Sequence, residues 1–152
     1  MGRNCGYLAL TSAIANGAEM CLIPEVDFNL EKLKSRYLNQ IKNGRTYFIA
    51  VVAEGLKITH KIKTWFEKEI GFEARVTILG HIQRGGSPTV LERLRAAEFI
   101  KKALENIGKN PNKIVTFQDN KFILRDIKEI INSTYKLDSE MLELAKPLMG
   151  LR

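Results

Sequence analysis

Short apolar runs alternate with helical patterns along most of the chain, and this alternation limits the folds open to it. The runs are MCLIPEV at 20–26, RTYFIAVVAEG at 45–55 and EARVTILG at 73–80. The segments between them carry apolar residues at the three- and four-residue spacing of amphipathic helices. Strands separated by helices favour an α/β fold, with a mainly parallel sheet layered between helices.

The pattern also predicts where the elements begin and end. Helices are expected at 6–17, at 30–43 with Asn29 as the N-cap, at 59–70, and from Ser87 and Pro88 to Gly108. A fourth strand is expected at KIVTFQDN, residues 113–120, followed by two short helices near 125–133 and 138–146. A length of 152 residues suits one hydrophobic core, so we expect a single domain over 1–152.

Composition narrows the class of protein. Apolar residues make up 45% of the chain and charged residues 27%, which is typical of a soluble globular protein. The longest apolar run, FIAVVA at 48–53, is too short to cross a bilayer, so no membrane partner is expected. Cys5 and Cys21 show no metal-binding spacing and are expected to be buried thiols in the cytoplasm.

The formal net charge of +7 is compatible with two kinds of partner, a nucleic acid or an anionic small molecule. Lysines in EKLKSR, HKIKTWFEKE and FIKKALE are interleaved with glutamates, which indicates solvated helix faces. We therefore expect no nucleic-acid partner. Binding to nucleic acid would require a steep dependence on salt.

Polar residues follow two of the predicted strands. Glu54 follows FIAVVA, and His81 and Arg84 follow VTIL in the stretch GHIQRGG. Ligands of parallel sheets bind beyond the carboxyl ends of the strands. A carboxylate suits sugar hydroxyls and a histidine and arginine suit a phosphate, so a phosphorylated polyol is one interpretation. The other is a tight loop in which His81 and Arg84 bond backbone carbonyls; no second ligand stands at metal-binding spacing.

Several motifs together resemble one family. GHIQRGGSP at 80–88, MGR at 1–3, IPE at 23–25, VVAEG at 51–55 and ARVT at 74–77 are similar to ATP-dependent 6-phosphofructokinase of the bacterial type. The similarity extends from the start of the chain to about Asp126. It implies the Rossmann-like C-terminal half of that enzyme, a cytoplasmic glycolytic phosphotransferase that forms fructose 1,6-bisphosphate from fructose 6-phosphate.

The resemblance also implies site residues. Arg3 would lie near the transferring phosphoryl group, where an arginine stabilises spread negative charge. Arg75 would reach a neighbouring subunit's substrate, which implies a homo-oligomer, a tetramer in the family. The implied fructose 6-phosphate set is Met1, Gly2, Arg3, Glu54, Arg75, His81, Ile82, Gln83 and Arg84.

An effector site for ADP or phosphoenolpyruvate is implied as well. Its matching positions are Gly17, Ala18, Glu19, Arg45, Thr46 and Tyr47. Arg45 keeps a charge in a segment that is usually richer in lysine and histidine, so allosteric control is left open. A second interpretation makes Glu19 a surface residue that follows a helix.

The family's other half carries the glycine-rich ATP loop and the general base, and no equivalent pattern occurs in this sequence. Mg²⁺ and ATP would be held mainly by that N-terminal half, and ATP and pyrophosphate both stay open as donor. The chain alone is therefore expected to be inactive, because transfer needs both a donor site and a base. The alternative function is a non-catalytic phosphosugar-binding or regulatory module.

Overall fold

The computed structural model describes residues 3–133 and 135–151. The described residues form six α-helices and four strands. In chain order these are α1 (Tyr7–Ala15), β1 (Met20–Leu22), α2 (Leu30–Lys42), β2 (Ala50–Val52), α3 (Thr59–Trp65), α4 (Val90–Asn106), β3 (Lys113–Gln118), β4 (Lys121–Asp126), α5 (Ile127–Ile131) and α6 (Ser139–Ala145). A π-helical turn, Phe66–Ile70, continues α3, and short 3-10 turns occupy Glu54–Leu56, Gly80–Arg84 and Lys146–Met149.

A parallel pair of strands, of which β1 is fully buried, organises the first compact unit, which contains the described residues up to Gln83 and from Lys136 onward. β1 pairs with β2 in register from Met20–Ala50 to Leu22–Val52. Cys21 packs with α1 and α6 on one face, whereas Met20 and Leu22 pack with α2 and α3 on the other. The strand is therefore covered by helices on both faces, and the predicted α/β class with a parallel sheet is confirmed.

The chain's last described segment completes this unit. Ala145 and Met149 are buried in the cluster that contains α1. The backbone N–H of Asn29 donates to the Met149 carbonyl at 2.8 Å, and the guanidinium of Arg36 donates to the Pro147 carbonyl at 2.9 Å. Residues more than a hundred positions apart in sequence thus close one core.

The second compact unit spans Arg84–Tyr135 and is organised differently. β3 and β4 form an antiparallel hairpin, and the ring of Phe99 on α4 meets that of Phe122 at 4.8 Å. The buried core residues of the described chain all belong to the first unit. The second unit instead leaves apolar side chains of α4 and of its C-cap more than half exposed; we call these the α4 apolar face, and they are Val90, Leu94, Ile100, Leu104 and the C-cap Ile107.

The strand expected at 73–80 is wrong. Within the described residues β2 pairs only with β1, so this stretch has no strand partner. Phe72 and Ala74 still pack against the core, but Ile78 and Leu79 are 74% and 57% exposed. Apolar, β-branched composition favours a strand, but backbone hydrogen bonds to a neighbour are required to make one.

The start of α4 and the presence of β4 also differ from the sequence-based expectation. α4 begins at Val90 rather than after Ser87, because Thr89 and Glu92 form a capping box, with Thr89 N–H donating to Glu92 Oε2 at 2.6 Å. β4 was not expected. Asp119 and Asn120, both at positive φ, form the tight turn that joins it to β3.

None of the helices in the described part of the chain has the length and apolar character needed to span a membrane.

Candidate functional site

The candidate catalytic residue Arg3 lies against the turn that follows β2. A Cβ added to Gly55 would overlap the Arg3 carbonyl oxygen and lie 3.2 Å from the Arg3 Cα atom. Only glycine permits this approach of two backbones. The fold therefore brings Arg3 of the MGR motif to Gly55 of the VVAEG motif, 52 positions away in sequence, with the exposed Glu54 on the same turn as Gly55.

The carboxyl ends that meet at this edge are those of β1 and β2, which form the parallel pair. Residues 73–80 were expected to supply the strand end beside β2, and this expectation is wrong because β1 is the strand that pairs with β2. Ile23 to Glu25 leave β1, and Glu54 to Leu56 leave β2, on the same edge. An arginine and a carboxylate-bearing turn thus lie where ligands of α/β sheets bind.

The other predicted phosphate-binding residues lie on one short turn. The 3-10 turn Gly80–Arg84 carries His81, Ile82 and Gln83, and its side chains are exposed, that of Ile82 to 73%. Arg84, its last residue, is the first residue of the second compact unit. The turn therefore offers its imidazole and guanidinium groups to solvent-borne ligands.

Arg75 lies at the surface of the first unit. Its side chain is 90% exposed, and its nearest ionic partner is Glu73, with Nε and Oε1 3.7 Å apart. Met1 and Gly2, which the resemblance assigns to the sugar phosphate, lie outside the described residues.

The predicted effector residues include a paired cluster. The guanidinium of Arg45 forms an ion pair with the Glu19 carboxylate, and it lies over the Tyr47 ring at 4.9 Å. Glu19 is only 5% exposed, so its interpretation as a surface residue is wrong. Its second carboxylate oxygen accepts a hydrogen bond from the Ile49 N–H at 2.7 Å.

The remaining predicted effector residues are neighbours of Glu19 and Arg45 in sequence. Ala18 is buried at the end of α1, Gly17 adopts φ +62° and is exposed, and Thr46 is exposed. Tyr37 donates from its hydroxyl to the Glu19 carbonyl at 2.9 Å, and burial raises the pKa of this tyrosine well above its usual range. Contacts within the first unit thus link Glu19 to Arg45, Arg45 to the Tyr47 ring, and Tyr37 to the Glu19 backbone.

The described residues were compared with the side-chain clusters that bind metal ions. Among residues 3–133 and 135–151, no group of three His, Cys, Asp or Glu side chains is placed to hold a metal ion.

Sequence reasoning missed two residues of this site. Glu25 accepts a hydrogen bond from the Gly6 N–H at 2.7 Å, and Gly55 makes room for the Arg3 backbone. Both belong to motifs that carried the resemblance, IPE and VVAEG. Their roles depend on contacts between residues 19 and 52 positions apart, which no local pattern reveals.

Comparison with known proteins gives a consistent family. A family model described as Phosphofructokinase matches residues 1–107. ATP-dependent 6-phosphofructokinase of Sulfurovum sp. is 52% identical over 147 residues, covering 96% of this chain and 45% of the relative. The enzyme of the same name from Sulfurimonas denitrificans is 47% identical over 148 residues, covering 96% and 46%. The chain thus spans about half the length of the curated relatives it matches.

Solved structures agree. A phosphofructokinase from Saccharomyces cerevisiae superposes with a TM-score of 0.71 at 32% identity, over 85% of this chain and 19% of that one. The phosphofructokinase of Pichia pastoris, solved in the T-state, gives a TM-score of 0.73 over 97% of this chain and 18% of that one. At 23% identity this second likeness supports the fold alone. The resemblance expected from the motifs is confirmed, and the chain belongs to the phosphofructokinase family.

Proposed function

We propose that this chain provides the fructose 6-phosphate site of an ATP-dependent 6-phosphofructokinase. The complete enzyme transfers the γ-phosphoryl group of ATP to the 1-hydroxyl of the sugar phosphate, in cytoplasmic glycolysis. The observation that carries the proposal is the placement of Arg3 beside the Glu54–Gly55 turn, at the carboxyl ends of β1 and β2, in a chain of this family.

The proposed roles follow from the chemistry of the side chains. Glu54 accepts hydrogen bonds from sugar hydroxyls, and His81 and Arg84 donate to the 6-phosphate. Arg3 stabilises the negative charge that spreads over the phosphoryl group during transfer. Met1, Gly2, Ile82 and Gln83 complete the proposed sugar-phosphate contacts.

Partners and regulation are also proposed. Arg75, largely exposed and weakly paired, suits a contact with a neighbouring subunit in a homo-oligomer. The Glu19–Arg45 cluster, with Gly17, Ala18, Thr46 and Tyr47, is the proposed region for ADP or phosphoenolpyruvate. ATP and Mg²⁺ would be bound mainly by the part of the enzyme that matches the remaining length of the relatives.

A binding experiment tests the sugar-phosphate site. Calorimetric titration of the purified chain with fructose 6-phosphate should give saturable binding, and fructose without the phosphate should not bind. Replacing one donor of a hydrogen bond to the charged phosphate should cost about 1.5–3 kcal/mol, or roughly 10- to 150-fold in affinity. We expect this loss for His81→Gln and for Arg84→Ala.

The chain provides matched controls for both variants. His60 on α3 is exposed like His81, and Arg125 lies in the second unit with Arg84. His60→Gln and Arg125→Ala should therefore leave the affinity unchanged. If fructose 6-phosphate does not bind the unaltered chain, or if the control variants weaken it equally, the proposed site is rejected.

A kinase assay separates the enzyme half from a binding module. With ATP, Mg²⁺ and fructose 6-phosphate, the purified chain should give no fructose 1,6-bisphosphate, because its sequence shows neither a phosphate loop nor a general base. Appreciable turnover would contradict this expectation. Binding without turnover is also expected of the alternative, a regulatory phosphosugar-binding module.

A further inference from the structure

Residues 3–6, here called the Arg3 segment, are held from one side by the end of β1. The carboxylate Oε1 of Glu25 accepts a hydrogen bond from the backbone N–H of Gly6 at 2.7 Å. Gly6 is buried, and a Cβ added to it would overlap the Ile23 side chain and lie 2.7 Å from Glu25 Oε2. The segment is thus packed against the residues that leave β1, with no room for a side chain between them.

The other side of the segment rests on the turn after β2. The carbonyl group of Arg3 occupies the space that a side chain on Gly55 would need. The Arg3 segment is therefore in close contact with Gly55 at one end. At the other end it is fixed by the hydrogen bond from Gly6 to Glu25.

We propose that Glu25 is a positioning residue, which holds the Arg3 segment against Gly55 so that Arg3 is presented beside Glu54 at the edge of the sheet. This inference rests on the proposed function of that edge. Arginine has a long, flexible side chain, and a fixed backbone reduces the entropy that is lost when it binds a ligand. The exposed position of Arg3 makes this restraint matter, because its own side chain is not held by burial.

The charge of Glu25 adds to the hydrogen bond. α1 begins at Tyr7 with Gly6 as its N-cap, and a carboxylate near a helix N-terminus interacts favourably with the helix dipole. A purely stabilising role is therefore the competing explanation for Glu25. The test must distinguish lower stability from a misplaced Arg3.

Three variants and one control make this distinction. Glu25→Ala removes the acceptor, Glu25→Gln retains an amide oxygen, and Gly55→Ala displaces the Arg3 carbonyl. Asn29→Ala is the control, since the Asn29 side chain caps α2 in the same unit, accepting from Lys32 N–H at 2.9 Å. It removes a hydrogen bond of the same kind without touching the Arg3 segment.

The readouts are the affinity for fructose 6-phosphate by calorimetry, the urea midpoint, and hydrogen exchange of the Gly6 amide. Glu25→Ala and Gly55→Ala should weaken affinity by about tenfold or more, and Glu25→Gln should restore most of it. Asn29→Ala should lower the urea midpoint and leave affinity unchanged. The Gly6 amide should exchange faster in Glu25→Ala than in the unaltered chain.

Different results would overturn the positioning role of Glu25 and the proposed function. Unchanged affinity in Glu25→Ala, with binding by the unaltered chain, would overturn the positioning role and leave the proposed function standing. Unchanged exchange of the Gly6 amide would overturn it as well, whether or not a sugar phosphate binds. An unaltered chain that binds no sugar phosphate would overturn the proposed function instead.

Discussion

The guanidinium of Arg45 is paired with the buried carboxylate of Glu19, and this pair ties the segment before β2 to the start of β1. The Ile49 N–H donates to the same carboxylate, and the Glu19 N–H donates back to the Ile49 carbonyl at 2.9 Å. The pair therefore stabilises the strand register as well as neutralising a buried charge.

Removing Arg45 should destabilise the chain strongly. Arg45→Ala leaves the Glu19 carboxylate buried without its cation, and we expect a loss of about 2–4 kcal/mol in the free energy of unfolding. Urea denaturation followed by the fluorescence of Trp65 measures it. The double variant Glu19→Gln with Arg45→Met should lose less than Arg45→Ala alone, because no charge is then left unpaired. An equal or larger loss in the double variant would contradict the pairing.

Stability should fall at alkaline pH. Burial raises the pKa of the Cys21 thiol from 9.0 to about 11, and it also raises the pKa of Tyr37. Both groups stay protonated in the folded chain, while the unfolded chain ionises first. The contribution of Cys21 is therefore complete below about pH 9 and is lost as the pH rises toward 11, whereas that of Tyr37 begins to be lost only above about pH 10. Each group that is ionised in the unfolded chain alone changes the free energy of unfolding by about 1.4 kcal/mol per pH unit.

Urea denaturation at pH 8, 9 and 10 measures this dependence. Cys21→Ala should show a shallower decrease between pH 9 and 10 than the unaltered chain. Equal slopes for the two chains would show that the Cys21 thiol is not protected by burial.

The capping box of α4 should have a local effect. Thr89→Ala removes the side-chain oxygen that accepts from the Glu92 N–H at 3.3 Å, which should cost about 1 kcal/mol. Hydrogen exchange should quicken within Val90–Asn106 and stay unchanged in α2. Thr64→Ala, on the exposed side of α3, is a control that should leave α4 unaffected.

The α4 apolar face should make the isolated chain associate. Soluble monomers rarely expose apolar patches of more than a few hundred Å². Ile100→Glu should reduce the weight-average mass seen by light scattering at high protein concentration. Asn39→Glu adds the same charge on the exposed side of α2 and should not. If both variants behave alike, net charge rather than the face governs association.

Most local signals in the sequence were reliable, the helix start expected at Ser87 and Pro88 being an exception, whereas pairing between distant segments was not. Asn29 was expected to cap α2 and does so, because its partner Lys32 is three residues away. The stretch 73–80 looked like a strand from composition, but composition does not say whether a partner strand is available. The turn at Asp119–Asn120 carried a usable signal, since these residue types tolerate positive φ in hairpins, and it was overlooked.

In the candidate site, too, the sequence identified residues but not the contacts between them. Glu19 and Arg45 were both named from the sequence, yet their ion pair and the burial of Glu19 depend on contacts made across 26 positions. Gly6 and Glu25 meet only because β1 turns the chain back toward the start of α1. Residue identity indicated the chemistry, whereas the geometry required the fold.

The closure of the first unit by Ala145 and Met149 has a consequence for synthesis on the ribosome. Translation proceeds from the N-terminus, so α1, β1 and β2 leave the exit tunnel long before the residues that cover them. The hydrogen bond from Arg36 to the Pro147 carbonyl can form only after Pro147 has left the exit tunnel. The second unit, Arg84–Tyr135, consists of segments that are close in sequence, so it can fold as soon as those segments have been synthesised. Nascent chains stalled before Ala145 should therefore expose the first core to chaperones and proteases, and a truncation that removes Ala145 and Met149 would destabilise a core built mainly from α1 and β1.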